Sequence, residues 1–228
     1  MRRVLEPESM DSPEEVIAYE RIVKRLGFWM EDPIVRILSR LIKGLNRTDF
    51  KILDIGGGTG RVSIKTALKI PTCKIWVVDS SPNMFEIARK NISDKKLTDR
   101  IIVRQADGKN LPFENNFFDA VICSNMLHHI RDHLVLLKEM KRVVKDKGII
   151  VIRDLIRPGS KFLLNIMVSL VGVFHNSLMK KEYSDSLCAS FTVREFEEII
   201  KSSGIEGLRI HRGLVDYVSG YITLINKI

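Results

Sequence analysis

The sequence has few cysteines and no apolar segment at its start. Its three cysteines, Cys73, Cys123 and Cys188, show no CxxC spacing, which argues against a zinc knuckle or a disulfide framework and favours a reducing compartment. The first residues include two arginines but no apolar core of the kind that signal peptides contain, so we expect a cytoplasmic protein. No other metal-ligand pattern stands out, and we predict no metal site.

Aromatic residues are also scarce, at 7% of the chain, while hydrophobic residues make up 45% and charged residues 29%. This balance is typical of a globular protein and excludes a disordered tail or a collagen. A chain of 228 residues is too short for two enzymes in series. We therefore predict a single domain spanning residues 1–228.

The net charge of +9 suggests a nucleic-acid or membrane-surface partner. Much of the excess, however, falls on the polar faces of predicted helices, as with Lys138, Lys141 and Arg142. Charge on such faces commonly serves solubility. The charge alone therefore favours no particular partner.

Short runs of β-branched and other apolar residues alternate with amphipathic segments through the middle of the chain. Nearly continuous apolar runs indicate strands buried on both faces, and the alternation indicates βαβ units. We predict strands at 51–55, 74–79, 101–106, 118–123 and 148–155, and helices at 61–70, 81–94 and 131–145. Two closing strands are predicted at 207–214 and 221–225. The fold class is α/β, a Rossmann-like doubly wound sheet of seven strands, mostly parallel with an antiparallel last strand.

The remaining segments are predicted to surround this sheet. Helices at 12–26 and 32–45 form an N-terminal helical cap over residues 1–49, ahead of a core at 50–155. An insertion at 156–190 follows the fifth strand, and a closing helix and strands occupy 191–228. Thr192 and Glu195 have capping-box spacing, and Gly204 is placed to end that helix.

The glycine-rich segment at residues 54–60, DIGGGTG, directly follows the first predicted strand and opens a helix. Glycines there permit a sharp turn and let a ligand press against the main chain. A phosphate-binding Walker loop is excluded because Arg61, not lysine, follows Gly60. A dinucleotide fingerprint is weakened, because Arg61 also stands where the third glycine belongs.

The segments at 54–60, 77–91, 105–113, 117–129 and 138–152 together resemble the class I S-adenosylmethionine-dependent methyltransferases. The resemblance extends over about residues 50–155, and several motifs occur in the family's order. It is greatest with the quinone C-methyltransferase-like branch, also called methyltransferase type 11. The resemblance implies an enzyme with S-adenosyl-L-methionine as its cofactor.

The resemblance also implies the residues that hold this cofactor. Asp79 takes the ribose hydroxyls and Asp107 accepts from the adenine amino group. Asp54 either orders the glycine loop or reaches the methionine ammonium. The full implied set is Asp54, Gly56, Gly57, Gly58, Gly60, Asp79, Ser80, Met84, Asp107, Gly108, Ser124 and Asn125.

Catalytic candidates lie beyond the strand ends, where open α/β sheets bind ligands. His128 and His129 follow the fourth strand, and an imidazole suits proton abstraction from an acceptor. Tyr183, with Asp154 and Asp185 nearby, is a further candidate. The competing interpretation is that either histidine only caps a helix or packs beneath a loop.

The insertion carries most of the prediction about the acceptor, because its segment 161–179 is apolar for most of its length. We expect it to form a lid lined by Phe162, Leu163, Ile166, Met167, Leu170 and Phe174. A dimer contact or an ordinary packed helix is the alternative, and peripheral membrane contact is a third. Asn165 and Ser169 interrupt the run, so no transmembrane span is predicted.

These features favour methyl transfer to a small, apolar or amphipathic acceptor by a monomer or homodimer. An RNA or protein methyltransferase is an alternative motivated by the charge, although nucleic acid is not favoured. The sequence after the fourth strand is SNML at 124–127 rather than an NPPY-like tetrad. A non-catalytic S-adenosylmethionine-binding protein and a nicotinamide oxidoreductase remain further alternatives.

Overall fold

The computed structural model describes residues 1–7, 12–14, 16–17, 19–20, 31–43, 49–172, 177–211 and 221–226. A seven-stranded sheet runs through the molecule in the order β3-β2-β1-β4-β5-β7-β6. Its strands are β1 (Lys51–Ile55), β2 (Lys74–Asp79), β3 (Ile101–Gln105), β4 (Phe118–Ser124), β5 (Val144–Leu155), β6 (Leu208–His211) and β7 (Tyr221–Asn226). The first five strands pair in parallel, and β7 lies antiparallel to β5 and β6. The predicted fold class is confirmed.

Helices cover both faces of the sheet. They are α1 (Asp32–Lys43), α2 (Arg61–Lys69), α3 (Pro82–Asp94), α4 (His133–Val143), α5 (Lys161–Gly172), α6 (Ser177–Ala189) and α7 (Val193–Ser203). Apolar side chains of α1, α2 and α3 join one buried cluster with β1 and β2. Those of α4 and α7 join a second cluster on the opposite face. Strands covered on both sides need apolar residues at successive positions, which explains the continuous runs in the sequence.

The boundary between α4 and β5 differs from the sequence prediction. The helix ends at Val143 and the strand begins at Val144, which pairs with Phe118 ahead of a register shift in β4. Lys145 therefore lies in the strand, where its ammonium contacts the Asp119 carboxylate at 2.7 Å. Asp119 also accepts from the Lys51 amide at 3.0 Å, so it joins three strands.

The insertion differs as well, since two helices, α5 and α6, occupy the region predicted as one apolar run at 161–179. Phe174 of the predicted lid falls outside the described residues, as does most of the predicted helix at 12–26. No helix in the described ranges is both long and apolar enough to cross a bilayer.

The start of α7 has the predicted capping box. The Thr192 hydroxyl accepts from the Glu195 amide at 3.3 Å, and the Glu195 carboxylate accepts from the Thr192 amide at 2.6 Å. Arg157 from the chain after β5 donates two hydrogen bonds to the same carboxylate, at 2.6 and 2.8 Å. The cap therefore fastens α7 to the end of β5 as well as beginning the helix.

We expect Thr192→Ala to lower the free energy of unfolding by about 1 kcal/mol, because it removes an N-cap acceptor. Urea denaturation monitored by circular dichroism measures the change. Thr98→Ala, at an exposed turn, is the matched control and should leave the midpoint in place. Equal midpoints for both variants would show that the cap contributes nothing.

Candidate functional site

A cleft of about 250 Å³ opens at the carboxyl ends of β1, β2, β3 and β4. This is where open α/β sheets bind ligands, since the strand order reverses there. Its walls come from the segment after each of these strands, from the start of α3 and from one residue of the N-terminal region. They are Tyr19, Gly56, Gly58, Val78, Asp79, Ser80, Ser81, Met84, Ala106, Asp107, Gly108, Lys109, Ser124, Asn125, Met126, His129 and Ile130.

The glycine loop forms the floor of the cleft. Gly56 and Gly58 have φ of +64° and +53°, in the left-handed region that favours glycine. A Cβ atom at Gly56 would lie 2.4 Å from the Met126 sulfur, so a side chain there displaces the opposite wall. The Gly56 amide donates to the Val78 carbonyl at 2.7 Å, which ties the loop to β2.

Asp79 connects the two sides of the cleft at the end of β2. Its Oδ2 accepts from the Gly58 amide at 2.8 Å, and its Oδ1 accepts from the Ser81 amide at 3.0 Å. Each carboxylate oxygen has a second lone pair, so both can also accept from a bound ligand. The side chain thus sets the loop and faces the cleft at once.

Asp54 lies beneath this loop and is buried. Its Oδ2 accepts from the Ser63 hydroxyl of α2 at 2.6 Å, and a Cβ atom at Gly57 would lie 3.2 Å from the same oxygen. Burial raises the pKa of Asp54 to about 7. The contacts favour the loop-ordering alternative, although Asp54 also borders a small cavity beside the main cleft, with Glu31 and Arg61.

Two polar side chains at the end of β4 line the cleft, and each has an oxygen without a hydrogen-bond partner among the described residues. Ser124 Oγ and Asn125 Oδ1 are buried and accept no hydrogen bond from the described residues. Asn125 also has a φ of +53°, in the left-handed region that few non-glycine residues other than Asn and Asp adopt. Buried polar atoms are costly when unpaired, so these groups fit a polar ligand.

The opposite end of the cleft is formed by residues 106–109. The Asp107 side chain is 53% exposed, and its Oδ1 accepts from the Lys109 amide at 2.8 Å. Gly108 packs closely on β1, since a Cβ atom there would lie 2.8 Å from Ile55 Cγ2. An exposed carboxylate beside a flat glycine surface can bind the edge of a base that stacks there.

These features fit S-adenosylmethionine. Its sulfonium and ammonium are cations, and the carboxylates of Asp79 and Asp54 border the cleft and its side cavity. Its ribose and base need acceptors, which Asp79 and Asp107 provide. The unpartnered oxygens of Ser124 and Asn125 supply further acceptors at the strand ends.

Three of the residues predicted for the site line neither the cleft nor the small cavity beside it. Gly60 begins α2 and packs on α3, since a Cβ atom there would lie 3.3 Å from Ile92. His128 is buried behind the wall, with Asp154. Tyr183 lies in α6 against Leu155, Leu164 and Leu187, and burial raises its pKa to about 12.

The predicted set omits seven residues of the wall, among them Tyr19, Met126 and Ile130. Met126 and Ile130 flank the two histidines, so their position after β4 could have identified them as residues of the cleft wall. Tyr19 gave none, because it reaches the cleft from the N-terminal region. Burial raises the pKa of Tyr19 well above its ordinary value, which keeps the phenol protonated.

Adjacent histidines take different positions after β4. His128 Nδ1 contacts the Asp154 carboxylate, whose other oxygen accepts from the His128 amide at 3.0 Å. His129 lies in the cleft wall, with its Nδ1 3.2 Å from the Glu6 carboxylate. Burial disfavours the charged form of both imidazoles. For His128, the Asp154 carboxylate outweighs the effect of burial and raises the pKa. For His129, burial lowers the pKa to about 3.

None of the described residues of the insertion lines the cleft. Four apolar side chains of α5 that were predicted to form a lid face solvent instead. Phe162, Leu163, Ile166 and Leu170 are 73%, 48%, 39% and 69% exposed. Leu164, Met167 and Val168, on the other side of the helix, pack with Leu155 and Leu187.

Comparison with known proteins places these features in context. A family model described as a methyltransferase domain matches residues 53–152. A demethylmenaquinone methyltransferase of Thermotoga maritima is 32% identical over 198 residues, 82% of this chain and 83% of that protein. The ubiquinone/menaquinone biosynthesis C-methyltransferase UbiE of Coxiella burnetii is 32% identical over 113 residues, 49% of this chain and 45% of that protein.

Solved structures agree with this likeness. A protein from Methanococcus maripaludis, described as an S-adenosylmethionine-dependent methyltransferase, superposes with a TM-score of 0.71 at 25% identity, covering 98% of this chain and 96% of that one. The plantazolicin methyltransferase BpumL, solved with a substrate analogue and S-adenosylhomocysteine, has a TM-score of 0.72 at 17% identity, with coverage of 95% and 91%. The latter shows a common fold.

We expect Asp79→Ala to weaken S-adenosylmethionine binding about tenfold or more, because it removes a charged acceptor and loosens the Gly58 amide. Isothermal titration calorimetry measures the affinity. Asp94→Ala removes an exposed carboxylate at the end of α3 and is the matched control. Unchanged affinity in a folded Asp79→Ala protein would contradict the assignment.

Proposed function

Because the chain belongs to the class I S-adenosylmethionine-dependent methyltransferases of the quinone C-methyltransferase type, we propose that it methylates a ring carbon of an apolar quinol. The enzyme class and the cofactor follow from the family. The acceptor is our proposal, and it is supported by the shape and chemistry of the cleft beyond β4. The Thermotoga maritima relative, named for demethylmenaquinone, supports it as well.

The observation that carries the proposal is the uncharged wall at the acceptor end of the cleft. Met126 and Ile130 form it with the His129 imidazole, in the turn after β4. Apolar and aromatic surface with a few polar groups is typical of sites for ring-containing small molecules. A phosphate-rich acceptor would instead require lysines or arginines there.

When bound, S-adenosylmethionine supplies a methyl group on a sulfonium, ready for in-line displacement. The residues of the chain contribute alignment and exclusion of water. Asp79 and the Gly56–Gly58 turn set the position of the donor side, while Met126 and Ile130 close the opposite wall. The two sides meet at Gly56, whose α-carbon lies against the Met126 side chain.

Among the three predicted catalytic residues, we propose that His129 contacts the acceptor. It is the one of the three that lines the cleft, where its imidazole can hydrogen-bond a ring hydroxyl. His128 and Tyr183 lie behind the wall and in α6. We propose that they support the wall and make no contact with the acceptor.

The same division suggests roles for the segments of the chain. We propose that 50–155 binds the cofactor, while 1–49, 156–190 and 191–228 shape the acceptor side and stabilise the sheet. The cap is held to the core by ion pairs. Arg61 contacts Glu31 at 2.8 Å, and Lys65 contacts Glu31 at 2.7 Å and Asp32 at 2.5 Å.

With S-adenosylmethionine labelled at its methyl group, we expect label to enter a demethylmenaquinol-type acceptor and not tRNA or protein. The uncharged wall favours the ring and offers nothing to a phosphate backbone. Extraction into organic solvent separates the quinol, and nuclease or protease digestion of the remainder distinguishes RNA from protein before scintillation counting. Asp79→Ala is the control for donor dependence. Label in RNA or protein would support the alternative acceptor class and contradict the quinol proposal.

We further propose that α5 rests on an anionic bilayer, from which such an acceptor is drawn. Phe162, Ile166 and Leu170 recur every four residues and form one exposed stripe, with Leu163 beside it. Exposed Lys161 begins α5, and exposed Lys180 lies in the first turn of α6. An apolar face bordered by lysines is typical of interfacial helices.

Burial of the apolar side chains contributes more to the free energy of membrane binding than the lysines do. Full burial of one large apolar side chain is worth about 1.5–3 kcal/mol, whereas each lysine near an anionic surface adds about 1 kcal/mol. Binding should therefore persist on neutral vesicles and strengthen on anionic ones.

We expect the double variant Phe162→Ser/Leu170→Ser to bind phosphatidylglycerol-containing vesicles at least about tenfold more weakly, because it removes two inserting side chains. Co-sedimentation measures the bound fraction. Leu68→Ser, which alters an exposed apolar residue of α2, is the matched control and should bind as the unaltered protein does. Wild-type binding by the double variant would exclude α5 as the contact.

A further inference from the structure

Three ligand-forming side chains meet beside the cleft, outside the cofactor contacts. Glu6 comes from the N-terminal segment, and His128 and His129 come from the turn after β4. One ligand atom from each residue lies within 4.8 Å of the other two. The cluster brings a carboxylate and two imidazoles together from distant parts of the sequence.

His128 is already oriented as a ligand. Its Nδ1 contacts the Asp154 carboxylate, which can only accept while ionised, so the Nδ1 carries the proton. The lone pair is therefore on Nε2. That atom is buried in a side chain 2% exposed, and it has no hydrogen-bond partner among the described residues. A carboxylate behind a histidine is the usual support of a metal-bound imidazole.

Glu6 and His129 are placed to complete the set. The Glu6 Oε2 lies 3.2 Å from the His129 Nδ1. Ligands bound at about 2.0–2.1 Å in a tetrahedron stand about 3.3 Å apart, so this pair already has the required spacing. The Ser186 hydroxyl of α6 donates to Glu6 at 3.2 Å and holds its side chain in place.

Arg3 is a cation beside the cluster, and its donors are directed elsewhere. Its Nη2 donates to the His128 carbonyl at 2.9 Å, and its Nε donates to the Ala189 carbonyl at 2.6 Å. Its guanidinium also lies 3.9 Å from the centre of the Phe191 ring. Glu6 is thus not occupied by this arginine, and its carboxylate remains available to a metal ion.

We propose that Glu6, the Nε2 of His128 and His129 bind a divalent cation of the zinc class. Two imidazoles and one carboxylate favour Zn²⁺ or Co²⁺ over Mg²⁺ and Ca²⁺, which prefer oxygen ligands alone. The ion joins the N-terminal segment to the turn after β4 and so sets the position of His129 in the cleft wall. The sequence alone predicts no such site, because Glu6 lies far from the histidine pair.

Cobalt(II) titration of chelator-treated protein tests the site, because tetrahedral Co²⁺ with nitrogen ligands absorbs strongly in the visible range. We expect one equivalent to bind and Zn²⁺ to displace it. Glu6→Gln replaces the carboxylate ligand that comes from the N-terminal segment, and it should weaken Co²⁺ affinity at least about tenfold. Asp154→Asn, which acts through His128, should weaken it by about 10–100-fold.

His211→Asn is the matched control, since it removes an exposed imidazole of β6 and should leave the Co²⁺ spectrum and affinity unchanged. Absorption and metal content are read without methyl transfer, so the result does not depend on the proposed acceptor. The absence of stoichiometric binding would overturn the proposal. Wild-type affinity in folded Glu6→Gln would overturn it too.

Discussion

The Asp79 carboxylate is the interaction on which the cleft depends. β1 and β2 pair so that Ile55 lies opposite Val78, which places Asp79 one residue beyond the last pair and next to the glycine loop. Its two oxygens then accept from the Gly58 and Ser81 amides. One side chain therefore fixes both the loop before α2 and the start of α3. The same side chain lines the cleft, so we propose that the shape of the loop and the binding of the cofactor rely on a single group.

Much of the fold could be predicted because its signals are local. The strands β1 and β2 have the predicted bounds, since strands covered on both faces are apolar at nearly every position. The capping box at Thr192 and Glu195 is a three-residue pattern that needs no tertiary information. The glycine loop can also be identified from the sequence, because few residues other than glycine adopt the left-handed backbone found at Gly56 and Gly58.

The predictions that failed concern the direction of side chains. The α5 segment is apolar on both sides, so its periodicity cannot tell which side packs and which faces out. The structure buries Leu164 and exposes Phe162. His128 and His129 are neighbours of one residue type, and the turn after β4 sends one behind the wall and the other into it. Glu6 and Tyr19 join them only through tertiary packing, which no local pattern reports.

The family model matches residues 53–152, which include Asp79, Ser124 and Asn125 and therefore the donor side. Tyr19 and Glu6 lie before that range, and the exposed stripe of α5 lies after it. A core shared across the family can keep the donor in one position while the flanking segments vary around it. Tyr19 reaches the cleft from outside this core, whereas Met126, His129 and Ile130 lie inside it, so differences in acceptor between relatives should be sought in the N-terminal region and in the turn after β4.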